Sequence, residues 1–315
     1  MLQAWTIKKN YHRMWKKESL EIQGIHTEIQ SYEVNSARKV IILPGNPGIG
    51  DFYFEFADQL LQKLNRKASC YIVSYAGFTR KKPTRLYSLQ EELDHKIELI
   101  RYLQGRWRTK DKFVLVGHSI GAWLALQLFL TFTAKSIEQV FFVFPFFMLS
   151  SMKEQKFYEN YLLRKPVAKV LMGLYSILRH LPFGMIEKLL GRFYSKASLY
   201  SKKVIHDYYF KESHIPASQI YLARTEFNDL ASPLDYSLLQ KNKCYFQVLY
   251  TENDIWFPRQ QLLQLQSRVP KLSIGMLRDV AHDFCINTKE SGLVAEAIVR
   301  RILQANGKKF QKKKE

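Results

Sequence analysis

The sequence feature that most restricts the fold is a short apolar segment, residues 113–116, that runs into the motif Gly117 to Gly121 (GHSIG) and then into residues 122–133, which have the composition of a buried helix. A serine held in so tight a turn between strand and helix is strained, and only glycines two positions away on either side avoid a collision with the neighbouring elements. The pattern predicts a nucleophilic hydroxyl on Ser119. A plain tight turn before a buried helix is the alternative interpretation.

Strands and helices alternate on both sides of this motif. The predicted strands cover 39–43, 70–75, 113–116, 139–144, 244–250 and 272–277, and the predicted helices cover 52–64, 88–107, 122–133, 259–268 and 290–303. Residues 20–34 predict one or two antiparallel strands at the leading edge. This order predicts a mostly parallel sheet flanked by helices, and with the serine turn it indicates the α/β-hydrolase fold.

The alternation is interrupted between residues 150 and 216 by helical, apolar and basic sequence. We therefore predict a hydrolase core in two parts, 1–149 and 217–306, a helical cap over 150–216 and a basic tail over 307–315. Two segments, 141–149 and 167–193, are unusually apolar for a surface in contact with water and are candidates for lying on a membrane.

Two interpretations of the cap remain open. Its apolar face either packs inward on an active site or enters a lipid surface, with cations at the level of the head groups. One helical hairpin is able to do both. The flanking cations are Lys165, Lys169, Arg179, Lys188 and Arg192.

A serine nucleophile needs a base, and the base needs an acid that orients it. Asp254 follows one late predicted strand in a turn, and His282 follows the next strand after a short loop. The order serine, aspartate, histidine is the one that α/β-hydrolases use. We therefore predict Ser119 as nucleophile, His282 as base and Asp254 as orienting acid, and expect Asp279 to face solvent or to cap its loop.

The negative oxygen that forms during acyl transfer needs N–H donors placed in advance. The amide of Ile120, at the start of a helix, is one candidate. The loop Pro44 to Gly48 (PGNPG) follows an early strand, where this architecture supplies the second donor, and the amide of Asn46 is our candidate because Pro47 has no N–H. A simple turn remains the alternative, since these residues favour turns anywhere.

The composition of the chain restricts which partners and which cellular locations we predict for the protein. The formal charge of +20 favours association with anionic surfaces, but the lysine runs are scattered and match no nucleic-acid-binding motif, so we predict no nucleic acid partner. The three cysteines lack the spacing of a disulfide framework or zinc site, which fits a reducing compartment. Residues 1–18 lack a secretory signal, and no run of about 18 apolar residues predicts a membrane-spanning helix.

Four motifs together resemble those of the lipid droplet-associated hydrolase family, and the resemblance covers nearly the whole chain. They are Leu43 to Gly48, Gly117 to Gly121, Asn253 to Pro258 and Ala281 to Phe284. The resemblance implies a serine hydrolase at lipid droplets and the endoplasmic reticulum, on the cytosolic face, with weak activity on sterol esters and a role in neutral lipid storage. The family's nucleophile, acid and base would fall on Ser119, Asp254 and His282.

Two functions are consistent with these observations. The first is an esterase or lipase that cleaves hydrophobic acyl esters, such as sterol esters, through an acyl-enzyme and that requires no metal or cofactor. The second is a lipid-droplet surface adaptor with weak or vestigial catalysis. The sequence predicts no particular protein partner.

Overall fold

The fold is built around one central β-sheet. The computed structural model describes residues 14–108 and 111–311, and within them eight strands form one sheet in the order β1-β2-β4-β3-β5-β6-β7-β8. The first two strands and the β2–β4 pair are antiparallel, and every pair from β4 to β8 is parallel. The strands are β1 Trp15–Ile22, β2 Ile25–Tyr32, β3 Arg38–Leu43, β4 Ser69–Val73, β5 Lys112–His118, β6 Ile137–Val143, β7 Phe246–Thr251 and β8 Ser273–Leu277. This sheet confirms the predicted fold class.

Helices connect the parallel strands and flank the sheet. They are α1 Phe54–Lys63, α2 Leu89–Gly105, α3 Ile120–Ser136, α4 Lys153–Phe157, α5 Lys165–Leu178, α6 Phe183–Lys196, α7 Leu199–Ile205, α8 Ile215–Asp229, α9 Tyr236–Asn242, α10 Arg259–Arg268 and α11 Thr288–Gln311. The strand that we predicted from Cys244 begins at Phe246 instead, because Lys243–Tyr245 forms a 3-10 turn that continues from α9.

The centre of the sheet is buried on both faces. Residues 40–43 of β3 and 113–116 of β5 are almost without solvent exposure, as expected of parallel strands covered by helices. The aromatic run at 141–149 belongs to this interior. Phe141 and Phe142 lie in β6, and Phe146 packs edge-on against Trp256 with ring centroids 5.0 Å apart. The expectation that this run lies on a membrane is therefore wrong.

The helices between β6 and β7 form what we call the helical insertion, which runs from Lys153 to Asn242. It continues beyond residue 216, where we placed the end of the cap, and the division of the chain into core and cap stays a prediction. Among the described residues, no helix is long and apolar enough to cross a membrane. Residues 1–13 and residues 312–315 of the predicted basic tail lie outside the described residues.

A buried ion pair on α2 supports the carboxyl end of the sheet. Lys96 Nζ lies 3.0 Å from Glu92 Oε2, and both side chains are fully buried. Burial raises the pKa of Glu92 and lowers that of Lys96, and the attraction between the two charges opposes both shifts. Glu92 also accepts the Ala76 N–H at 3.1 Å, and Lys96 Nζ lies 4.8 Å from the ring centroid of Tyr75. The pair thus fixes the segment after β4.

We expect Lys96→Met to lower the free energy of unfolding by about 3–5 kcal/mol, because it leaves the Glu92 carboxyl buried without its cation. The double variant Lys96→Met/Glu92→Gln keeps an acceptor for the Ala76 N–H and should regain most of this loss. Urea unfolding of the three proteins measures the difference. Equal losses in the single and double variants would show that packing, not charge, sets the cost.

Candidate active site

Ser119 occupies the turn between β5 and α3. Its backbone has φ 54° and ψ −121°, a conformation that residues other than glycine rarely adopt. Three backbone hydrogen bonds hold it there: its N–H donates to Val143 O at 3.0 Å, and its carbonyl accepts from Ala122 N at 3.0 Å and from Phe146 N at 3.1 Å. The residue is only 9% exposed, and it lines an adjoining cavity.

The two glycines of the turn are required by close backbone contacts. A Cβ at Gly121 would collide with the carbonyl oxygens of Leu43 and Pro44 at the end of β3. A Cβ at Gly117 would collide with the carbonyl group of Gly121. The start of α3 therefore lies directly against the loop after β3, and this contact brings that loop beside the serine.

His282 and Asp254 form a hydrogen-bonded pair. His282 Nδ1 lies 2.9 Å from Asp254 Oδ2, while Asp254 Oδ1 accepts the Trp256 N–H at 2.9 Å. The Asp254 side chain is fully buried. The histidine loop is itself anchored, because the Ala281 N–H donates to Glu290 Oε2 at 2.7 Å. With Nδ1–H directed at the carboxylate, the proton-accepting nitrogen of the imidazole is Nε2.

The predicted residues meet at one cavity of about 1050 Å³, which Ser119, Asp254, His282 and Asn46 all line. Within the described chain, the Ser119 hydroxyl makes no hydrogen bond to His282. Catalytic hydrogen bonds are often loose without substrate, so this geometry does not conflict with a role for the pair. Asp279 is exposed, as expected.

The loop Pro44 to Gly48 lies against the serine, since a Cβ at Gly45 would stand 3.0 Å from Ser119 Cβ. The Gly45 N–H donates to Tyr53 Oη at 2.7 Å, and Pro47 has no N–H. Within the part of the chain that the structure describes, the Asn46 N–H has no acceptor. Ile120 is the first residue of α3, where helical amides lack intrahelical acceptors. Among the described residues, both predicted donors are thus amides beside the serine turn without an acceptor.

Tyr53 was not predicted from the sequence. Its hydroxyl accepts the Gly45 N–H and is hydrogen-bonded to His118 Nδ1 at 2.6 Å. Burial, together with the neighbouring His282, holds the pKa of His118 well below its ordinary range, so this imidazole is neutral. The His118 ring lies 4.8 Å from the His282 ring, centroid to centroid. Tyr53 therefore links the loop Pro44 to Gly48 to the histidines behind the serine.

Two further side chains that sequence patterns did not indicate hold the same loop. The Tyr75 hydroxyl donates to the Pro44 carbonyl, and Asn46 Nδ2 donates to Glu226 Oε1 at 3.1 Å. Tyr75 follows β4, whereas Glu226 belongs to α8 of the helical insertion. No local motif marks either residue, because each contact joins positions far apart in the chain.

The rest of the cavity is mainly apolar and is completed by the helical insertion. On α5, one stripe of residues (Leu171, Tyr175, Leu178) lines the cavity. A second stripe on the same helix faces outward, with Val170 71%, Leu174 52% and Ile177 68% exposed. The inner stripe fits the interpretation that the cap packs inward, and the interpretation that it enters a lipid surface stays a prediction.

The described residues place neither a metal-ligand cluster nor a reactive thiol at the cavity. Within residues 14–108 and 111–311, no group of three or more His, Cys, Asp and Glu side chains is placed to hold a metal ion. Cys285 lines the cavity, but burial raises the pKa of its thiol to about 12, so it stays protonated and is a poor nucleophile.

Sequence comparison matches residues 36–285 to the family described as lipid-droplet associated hydrolase. A mouse protein named lipid droplet-associated hydrolase is 23% identical over 311 residues, with 86% of this chain and 88% of the mouse protein covered. A Dictyostelium discoideum protein of the same name is 35% identical over 102 residues, which cover 31% of this chain and 34% of that protein.

Structural comparison finds the same fold in proteins of distant sequence. An epoxide hydrolase from Vigna radiata matches with a TM-score of 0.66 and 14% identity, covering 93% of this chain and 99% of that one. A putative lipase from Acinetobacter baumannii matches with a TM-score of 0.66 and 14% identity, covering 98% and 97%. At this identity the likeness establishes the fold alone.

We expect Gly121→Ala to lower the free energy of unfolding by about 3 kcal/mol, because the added methyl group meets backbone oxygens that cannot move aside. Gly173→Ala is the matched control. Gly173 lies inside exposed helix α5 with open space around it, so alanine there should stabilise by about 0.5–1 kcal/mol. Chemical denaturation measures both, and a stable Gly121→Ala protein would contradict the contact at the serine turn.

Proposed function

Because this chain belongs to the lipid-droplet associated hydrolase family and has the α/β-hydrolase fold, we propose that it is a serine ester hydrolase that cleaves hydrophobic acyl esters, sterol esters among them, at lipid droplets. One observation carries the proposal: the hydrogen-bonded His282–Asp254 pair, the strained Ser119 and Asn46 all line a single, mainly apolar cavity.

In the proposed reaction, Ser119 Oγ attacks the ester carbonyl while His282 Nε2 takes its proton. The carbonyl oxygen becomes negative and accepts hydrogen bonds from the Ile120 and Asn46 amides. The tetrahedral intermediate collapses when His282 returns the proton to the leaving alcohol. Water then attacks the acyl-enzyme with His282 as base, releasing a carboxylic acid and free Ser119. Asp254 keeps the imidazole in the required tautomer throughout.

The proposed substrate class follows from the size and lining of the cavity. About 1050 Å³ is at the upper end of the range for small-molecule pockets, and apolar side chains such as Phe146, Phe210 and Ile186 line it. A long acyl chain or a sterol ring system fits such a surface, because its burial releases water from apolar area on both partners. Hydrolysis of these esters would draw on the neutral lipid store.

The outward stripe of α5 supports association with a lipid surface. Val170, Leu174 and Ile177 share one side of the helix, and the exposed cations Lys165 and Lys169 lie near its start. An apolar stripe with cations beside it is typical of helices that lie in a membrane interface. We place this contact on the cytosolic face of droplets and the endoplasmic reticulum, which the free thiols of Cys70, Cys244 and Cys285 support.

A second candidate function, a droplet-surface adaptor with weak or vestigial catalysis, is favoured by the exposed stripe and by the missing hydrogen bond between Ser119 and His282 in the described chain. Ser119→Ala separates the two candidates in cells. An enzyme loses its effect on the ester store and keeps droplet binding, whereas an adaptor keeps both.

We expect a fluorophosphonate probe to label the purified protein on Ser119, and Ser119→Ala and His282→Ala to lower labelling and ester turnover by at least about 10³-fold, since a triad acts as a unit. Asp279→Asn is the control, because Asp279 is exposed, lies in the same loop and has a backbone conformation that asparagine tolerates. Absence of labelling in the wild type, both in detergent and on droplets, would overturn the esterase proposal.

We expect the double variant Val170→Glu/Ile177→Glu to reduce binding to phospholipid-coated oil droplets by at least about 10-fold, because two apolar side chains of ~1.5–3 kcal/mol each are replaced by charges. Turnover of a short water-soluble ester should be unchanged, since neither residue lines the cavity. Leu263→Glu on α10 changes another exposed apolar residue, 54% exposed and outside the helical insertion, and is the control in the flotation assay. Wild-type binding by the double variant would show that α5 is not the docking surface.

A further inference from the structure

Glu226 has a buried carboxyl group that takes no part in the proposed reaction. It lies on the inward face of α8 with Ile215, Ser218 and Leu222, and it is 4% exposed. It also lines the cavity that contains Ser119. A buried carboxyl without a role in packing or charge pairing is uncommon, because its transfer from water is costly.

The partner of Glu226 is the loop that carries the proposed second oxyanion donor. Asn46 Nδ2 donates to Glu226 Oε1 at 3.1 Å and to the Gln219 carbonyl at 3.2 Å, so α8 accepts both hydrogens of this amide. Helix α8 is fixed in turn, since the Leu89 N–H at the start of α2 donates to Thr225 Oγ1 at 2.9 Å. Among the anchors of the loop, Tyr53 and Tyr75 come from the core and Glu226 from the helical insertion.

The surroundings of Glu226 favour its neutral form. Burial raises its pKa to about 8, against a smaller opposite effect of the hydrogen bond from Asn46. No cation of the described residues lies within salt-bridge distance of its carboxyl. A negative charge at this point would stand beside the loop that receives the oxyanion and would oppose the charge that develops there.

Several other titratable groups lie near this loop, and their protonation must be considered beside that of Glu226. Burial, with the negative charge of Glu92, raises the pKa of Tyr75 well above its ordinary range, so its hydroxyl stays protonated. The Lys96–Glu92 pair lies behind Tyr75, and the His282–Asp254 pair lies across the cavity. Of these, the Lys96–Glu92 pair is the other group that could change the hydrolytic rate in the alkaline range. A variant at Glu226 distinguishes the two causes.

We propose that Glu226, in its neutral form, is a positioning residue that holds the Asn46 amide in place for the oxyanion and so makes catalysis depend on the helical insertion, an inference that rests on the proposed esterase function. Loss of its proton places a charge beside the oxyanion loop. The hydrolytic rate therefore falls at alkaline pH, where a free histidine base alone would give a plateau.

The experiment compares wild type, Glu226→Gln and Glu226→Leu on a soluble ester between pH 6 and pH 9.5. Glutamine keeps an acceptor for Asn46 without a titrating proton, so we expect kcat within about 2-fold of wild type near pH 7 and no decline above about pH 8. Leucine removes the acceptor, and we expect kcat to fall about 10- to 100-fold with a smaller change in KM. Asp229→Asn, exposed at the end of the same helix, is the control.

Two measurements test the anchor independently of turnover. Hydrogen exchange in the peptide spanning residues 44–53 should be faster in Glu226→Leu and unchanged in Glu226→Gln. Because the pKa of Glu226 in the folded protein is raised from 4.5 to about 8, its contribution to stability is complete below pH 4.5 and is lost as the pH rises through 8. The wild-type Tm should therefore fall more steeply over this window than that of Glu226→Gln.

The outcomes separate this inference from the esterase proposal. If the wild type is inactive but hydrogen exchange and Tm behave as expected, the esterase proposal is wrong and the catalytic part of this inference is rejected with it. The structural role of Glu226 in holding the loop would still be supported. If Glu226→Gln keeps the alkaline decline, Glu226 is not the group that titrates. Wild-type kcat and wild-type exchange in Glu226→Leu would overturn the positioning role. Should that variant not fold, the pH profile of Glu226→Gln still decides the case.

Discussion

The close contact between the start of α3 and the end of β3, at Gly121, is the constraint on which the rest of the site depends. It permits the left-handed backbone at Ser119 and places the Ile120 amide at the first turn of a helix. It also brings the loop Pro44 to Gly48 against the serine. Backbone packing between two central strands thus positions the proposed nucleophile and both candidate oxyanion donors without any side chain of the helical insertion.

The sequence was sufficient for the features that short periodic patterns encode. The alternation of apolar strands and helices predicted the mostly parallel sheet, and the chain order of Ser119, Asp254 and His282 placed three side chains at strand ends that line one cavity. Apolar composition alone was a weaker guide. The run 141–149 is central strand and core, because aromatic residues suit both a buried sheet and a lipid surface.

The residues that anchor the loop Pro44 to Gly48 were beyond the reach of sequence patterns. Tyr53, Tyr75 and Glu226 lie on three different elements, and each side chain meets the loop through a single hydrogen bond. A lone tyrosine or glutamate has no spacing that distinguishes it from ordinary core or surface residues. Glu226 in particular appears in the sequence as a typical polar residue of a helix, and only its burial in the folded chain makes it unusual.

Helix α5 is apolar on two sides, one toward the cavity and one toward the exterior. For a protein docked through the outer side, the relevant substrate concentration is the number of ester molecules per unit area of interface, not per unit volume of solution. Diluting the ester in an inert oil would then slow the reaction even with total ester held constant. Adding more surface at fixed ester would slow it further, because protein and substrate would spread over a larger area.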